Sequence, residues 1–401
     1  MEPTLTWIDL TSTDRDKMRR VLDLFSESGT IDEMGLGSLR DGLSDHLFPG
    51  TSSIQTRLRY VLFVAWIYKA LEAERVANAD LLRRLRAAEV ELIGPLMRSQ
   101  DAKGVIGAVA GAAVGRLPSS VYWNALTRWR IFLPARGATW YHANFAGLSR
   151  NQSPAPVSDD PGIAHARTPT WHPRLPQSPG DFRKSAEFAL TRQEAVFVQG
   201  RIAEGCHGSL LACFAQKTSP VLAPTFWDDP LVATAPAQVQ HVVELARRFS
   251  LLVEGAPLMY NLLLAERKDA LLGGCAARIV QYHGEITEWF DREQQEQPID
   301  LGLLWNFAKT AGIRRVAAQV AFVERWAALT HQQRGKNITG SKELRELVEH
   351  RERDLKGRSR ARLANPERLA TWSGSVGVGR MDFRWFRVRQ LLTDLHHGLV
   401  S

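Results

Sequence analysis

Apolar side chains recur every three to four residues along most of this chain, the repeat of α-helices that bury one face. Thr13 followed by Asp16 reads as a capped helix start, with Met18, Val21, Leu22 and Phe25 on one face and Gly29 as a stop. Residues 54–75 set Leu58, Val61, Leu62 and Ala65 at helical spacing, with further apolar residues between them. That helix is expected to be buried on most sides. Helices are also predicted over 77–93, 183–215, 236–265, 269–293, 302–329 and 341–362. Alternation of apolar and polar residues is confined to two short pieces, 4–10 and 381–385. The fold class expected is mainly α, a multi-helix globular protein with at most a minor β element.

Prolines 154, 156, 161, 169, 173, 176 and 179 interrupt this pattern. Proline at that density forbids continuous helix or a central strand. The chain is therefore divided into an N-terminal helical domain (1–150), a Pro-rich connection (151–182) and a C-terminal helical domain (183–401). Trp171 and Phe182 suggest that part of the connection packs down.

Composition narrows the classes. Of 401 residues 44% are hydrophobic and 23% charged, which excludes disordered, collagen-like and coiled-coil chains. Lys and Arg number 51 against 43 Asp and Glu, a formal charge of +8 that suits a polyanionic partner through counterion release. The three cysteines, Cys206, Cys213 and Cys275, have no CxxC spacing, so neither a disulfide framework nor a cysteine zinc site is indicated. Residues 1–15 show no basic-then-apolar signal pattern, and the run 104–115 is too short to span a bilayer. A cytoplasmic location is expected.

The densest chemistry lies in residues 32–68. Gly-rich turns carry Asp32, Glu33, Asp41, Asp45 and His46, then Pro49 and Gly50 turn the chain. Thr51, Ser52 and Ser53 offer hydroxyls and backbone amides at the start of a helix, and Gln55, Thr56, Arg57 and Arg59 follow. Amide donors, hydroxyls and two guanidiniums are what a phosphodiester backbone requires. The competing reading is a capped buried helix whose arginines pair with Asp41 and Asp45. Gly107, Gly111 and Gly115 would line one face of a helix and permit close approach of another backbone. Next, Pro118, Ser119 and Ser120 open a helix in which Tyr122, Trp123 and Trp129 interleave with Arg128 and Arg130. Such aromatics stack bases or build cores. Residues 341–362 end in Arg351, Arg353, Lys356, Arg358, Arg360 and Arg362, a phosphate-contacting arm or a solvated face. Gly374, Gly377 and Gly379 precede Asp382, Arg384 and Arg387 without a Walker lysine, so they do not read as a nucleotide loop. HExxH, GxSxG and spaced Cys/His ligand sets are absent.

Four stretches carry a resemblance: LTWIDLTSTDRDKMRRVLDLF, GTIDEMGLGSLRDGLSDHLFPGTSSIQTRLRYVLFVAWIY, GVIGAVAGAAVGRLPSSVYWNAL and MDFRW. Together they resemble an uncharacterised bacterial family of phage-defence islands, similar to the base-modification restriction DNA glycosylases. The resemblance implies excision of glucosylated hydroxymethylcytosine from double-stranded phage DNA, leaving an abasic site, with no cofactor and no metal. Defence-system partner proteins are compatible with it. Base extrusion needs phosphate contacts on both sides of the nucleotide, for which Thr51, Ser52, Ser53, Gln55, Thr56, Arg57, Arg59, Arg128, Arg130 and Arg384 are the expected residues. Tyr60, Tyr122, Trp123 and Asp382 are the expected base pocket. Cleavage through an oxocarbenium-like state favours a nearby carboxylate: Asp41 first, with Asp45, Asp9 and Asp382 as alternatives. A non-catalytic DNA-binding subunit of a defence complex is the rival.

Overall fold

The computed structural model describes residues 32–152, 169–180, 182–217 and 221–401. Helix dominates them, and the one departure toward β structure is an isolated antiparallel bridge between Phe132 and Trp171. The chain is mainly α. The expected strand at 4–10 and the helix from Thr13 lie outside the described residues. Residues 381–385 are not a strand. Phe383 and Arg384 take φ of 52° and 70°, a left-handed turn from which the helix Trp385–Val400 starts.

Backbone contacts divide the chain into two units. One joins 1–42 to 245–381; the other joins 43–244 to 382–401. Both sequence boundaries, 150 and 183, fall within the second unit.

The second unit is built on the helix Tyr60–Ala73, whose positions 60–68 are all buried. The period is masked there because every face meets protein. The helices Pro118–Arg128 and Asn78–Glu91 pack against it. It begins at Tyr60 rather than near 54, because residues 51–59 form turns closed by Gln55 and by Asp394. The Pro-rich connection does pack down. Trp66 Nε1 donates to the Pro176 carbonyl at 2.8 Å, and the Phe182 ring stacks on Phe63. Helix 183–215 is two helices: Arg192–Gly205, started by the Thr191/Glu194 capping box, and Leu210–Ala215, separated by Gly208 at φ 78°. The expected helical glycine face at 107–115 does not form. Gly104, Gly107 and Gly111 all take positive φ, and only a short 3₁₀ turn, Gly111–Ala113, follows.

In the first unit, Trp289 lies so close to Gly255 that an added Cβ would sit 2.3 Å from its ring. Pro257 interrupts the ladder of the long helix Ala237–Leu272, and Asn261 Nδ2 takes the Pro257 carbonyl at 2.7 Å. The helices Ala317–Gln332 and Lys342–Lys356 pack together. Much of the cationic run on the latter is internal. Arg351 donates to the carbonyls of Met34, Gly35 and Ala318, while Lys356 and Arg362 both reach the buried carboxylate of Glu33. Of the expected phosphate arm, Arg358 and Arg360 remain exposed.

Candidate nucleic-acid interface

Three segments of the second unit meet at the start of the helix Trp385–Val400. Phe48 stacks on Trp385 at 5.7 Å, and Phe226 packs edge-on to Phe48 at 5.4 Å. This aromatic wedge fixes segments 45–53 and 224–229 beside residues 382–389. Above it lies a polar corner. Arg384 Nη1 donates to Asp45 Oδ1 at 2.6 Å and to the Thr51 carbonyl at 3.0 Å. Arg387 Nε donates to the Ser53 carbonyl at 3.0 Å, and its guanidinium lies over the Phe386 ring. Asp382 accepts from the amides of Arg384 and Phe386, so it caps this helix. The loop at 223–231 is pinned by buried Asp229, which accepts from Lys217 and from the amides of Ala223 and Leu231. Burial would raise that carboxyl, but the Lys217 contact and the two amides hold it below the usual range.

An open cleft of about 80 Å³ sits at this corner, lined by Pro224, Thr225, Trp227, Asp382, Phe386 and Arg389 among others. Phe386 is 55% exposed. The corner thus sets an exposed aromatic ring beside a carboxylate and several guanidiniums. Two successive non-glycine residues in the left-handed region cost free energy of order 1–3 kcal/mol each, which the surrounding packing must offset.

Several expected site residues are elsewhere. Arg57 and Arg59 are buried and structural. Arg57 Nε lies 3.0 Å from Asp394, its Nη1 2.5 Å from Asp101, and Arg59 Nη2 2.8 Å from Glu194. Burial would lower the Arg57 guanidinium, but Asp394 and Asp101 carry it above its ordinary value. Buried guanidiniums with carboxylate partners do not present charge to phosphate. The pairing with Asp41 and Asp45 is also not what forms. Thr51 and Gln55 are buried as well, Thr51 Oγ1 on the Phe48 carbonyl and Gln55 Nε2 on the Gly50 carbonyl. Thr56 Oγ1 donates to the Gly104 carbonyl. Ser52 and Ser53 are half-buried.

Tyr60 and Tyr122 are fully buried. The Tyr60 hydroxyl accepts from the Ile106 amide, and that of Tyr122 from the amides of Thr56 and Arg57. Trp123 is half-buried in a separate aromatic cluster with Tyr68, Phe132, Tyr141 and His142. Asp41 stands one turn before Asp45 on the helix Gly37–Leu47 and pairs with Arg40 at 3.1 Å. Asp9 lies outside the described residues. Arg128 and Arg130 are exposed, and Arg128 is near enough to His46 to add to burial in lowering that imidazole. What converges is therefore Asp45, Thr51, Ser53, Arg384 and Asp382.

Sequence reasoning missed Trp227, Phe386 and Arg389. The interleaved run RWFRVR at 384–389 was the available signal, since it alternates cations with aromatic and apolar residues. It also missed Glu89, a buried carboxyl that burial raises to about 7 against the opposing hydrogen bonds from Ser119. Burial pushes the Cys206 thiol up to about 12. Among the described residues no three His, Cys, Asp or Glu side chains are grouped to hold a metal ion, and no helix is long and apolar enough to cross a membrane.

No curated protein and no solved structure matches this chain. One family model does, over residues 3–398, and its description is a family of unknown function, DUF6361. A match of that extent covers nearly every element described above, both units included. The chain belongs to the DUF6361 family.

Proposed function

We propose that this protein binds double-stranded DNA at the Asp45–Arg384 corner and hydrolyses the N-glycosidic bond of a modified cytosine, leaving an abasic site. The glucosylated hydroxymethyl substrate, the role in anti-phage defence and the cytoplasmic setting come from the resemblance of the sequence to base-modification restriction glycosylases. One observation carries the placement: Asp382 and Arg389 line a cleft walled by Trp227 and the exposed Phe386, and the Asp45–Arg384 ion pair lies at the start of the same helix. That grouping supplies the three things base excision requires. Cations at Arg387 and Arg389 attract the phosphates, while Arg384 holds Asp45. The aromatic rings offer stacking surface to an extruded base. A carboxylate beside the sugar stabilises positive charge as the C1′–N bond breaks and the base leaves with the electron pair, and it orients the water that adds to C1′.

Asp45 is favoured over Asp41, one turn earlier on the same helix Gly37–Leu47, because it is Asp45 that pairs with Arg384. The test is incubation of purified protein with DNA carrying glucosylated hydroxymethylcytosine, with release of free base and alkali-labile sites as the readout. Base release lost in Asp45→Asn supports the assignment. DNA retention without release, in the wild type, supports the rival reading of a non-catalytic DNA-binding subunit.

A further inference from the structure

Two demands on Asp45 conflict. A carboxylate that stabilises an oxocarbenium-like centre must present its negative charge to the sugar. In the structure that charge is already taken up. Arg384 Nη1 donates to Asp45 Oδ1 at 2.6 Å, and Arg384 is the one partner of Asp45 among the described residues. A guanidinium at that distance cancels most of the field that the carboxylate would exert on a second cation. Excision through Asp45 therefore requires Arg384 to let go first.

The contact is built to be released. The Asp45 side chain is 61% exposed, and a pair with so hydrated a carboxylate holds by no more than about fivefold in an equilibrium constant. Asp45 stands in the last turn of the helix Gly37–Leu47, where the helix dipole disfavours a carboxylate, so the pair gains nothing from its position on that helix. The guanidinium also has a second anchor, because Nη1 donates to the Thr51 carbonyl at 3.0 Å. Behind it the backbone is fixed. Arg384 takes φ of 70°, its amide donates to Asp382 Oδ1 at 3.0 Å, and the Trp385 amide donates to the Asp382 carbonyl at 2.9 Å. A fixed backbone thus carries a side chain that can exchange one acceptor for another. The acceptor able to win is a phosphate, whose paired oxygens match the guanidinium fork. Arg387, three residues on, borders the same Thr51–Ser53 segment through the Ser53 carbonyl and draws a strand to that edge.

We propose that Arg384 is a phosphate-sensing residue: a DNA phosphate takes its guanidinium from Asp45, so the carboxylate is uncovered only when a strand is seated. The proposal rests on the reading of this corner as the DNA contact and of Asp45 as its acid. It makes the site selective for polymer, since a nucleoside without phosphates leaves Asp45 covered.

The salt dependence of affinity for an unmodified duplex, measured by fluorescence anisotropy on the full chain, tests it without any chemistry. The double variant Asp45→Asn/Arg384→Gln removes both charges together and leaves the net charge as it was. If Arg384 moves to a phosphate, the slope of log K against log salt falls by about 0.9 in this variant. A slope equal to that of the wild type means that Arg384 stays on Asp45 in the complex, and overturns the proposal. Asp45→Asn alone is expected to keep the wild-type slope and to bind up to about fivefold more tightly, because the phosphate no longer competes with a carboxylate. A slope steeper by about 0.9 in that protein means a guanidinium newly freed for DNA, and overturns the proposal as well. Circular dichroism melting confirms that both variants are folded. A wild type that does not bind duplex removes the reading of the corner and the proposal with it, whereas wild-type binding with an unchanged slope in the double variant removes the proposal alone.

Discussion

Asp394 and Arg57, 337 positions apart in sequence, form a buried ion pair at 3.0 Å, and the same carboxylate accepts from the Leu58 amide at 2.9 Å. A single side chain of the final helix thus neutralises the guanidinium and satisfies the backbone where the central helix of its unit begins. This joins the two ends of the second unit and removes Arg57 from any contact with phosphate.

Removing one partner leaves an uncompensated buried charge. Asp394→Ala is expected to destabilise the fold by about 3–5 kcal/mol. Urea unfolding followed by tryptophan fluorescence measures it. A loss below about 1 kcal/mol would mean that Arg57 finds solvent or another partner readily.

Glu89 predicts a pH dependence. Its folded value of about 7 lies above that of an unfolded glutamate, so between roughly pH 4.5 and 7 the native state binds more protons than the unfolded one. The contribution of this group to stability is full below that window and is lost as pH rises through it. Glu89→Gln should flatten this part of the stability profile between pH 5 and 8, measured by urea midpoints. An unchanged profile would show that Glu89 ionises normally in the native state.

The exposed ring of Phe386 offers stacking surface. Phe386→Ala should weaken binding of DNA with an extruded or mismatched base by about 1–3 kcal/mol, roughly fivefold to over a hundredfold, with little change in thermal stability. Fluorescence anisotropy and a melting curve together separate the two effects. Equal affinity would remove the stacking role.

Legibility in the sequence followed the physics of each signal. Helices with one apolar face, such as 77–93 and 236–265, were readable because periodicity survives partial burial, and the observed Asn78–Glu91 and Ala237–Leu272 agree in type. Breaks set by single residues were not. Gly208 and the Thr191/Glu194 box divide 183–215 without disturbing its apolar content. The glycines at 107–115 satisfy a helical spacing and a turn equally, and only the positive φ of Gly107 and Gly111 decides. Within the site, Asp45 and Arg384 were each legible as charged residues beside turns. Their pairing across 339 positions was not, since it depends on the wedge of Phe48, Phe226 and Trp385. Arg57 and Arg59 misled because a buried, paired guanidinium and a phosphate-binding one have the same one-letter code.

The placement of the DNA contact is tested most directly by the salt dependence of affinity for a duplex, comparing wild type with the Arg387→Ala/Arg389→Ala double variant. Two phosphate contacts removed should lower the slope of log K against log salt by about 1.8, with the fold intact by circular dichroism. A slope identical to that of the wild type would put the polyanion on another face and contradict the assignment of the Asp45–Arg384 corner.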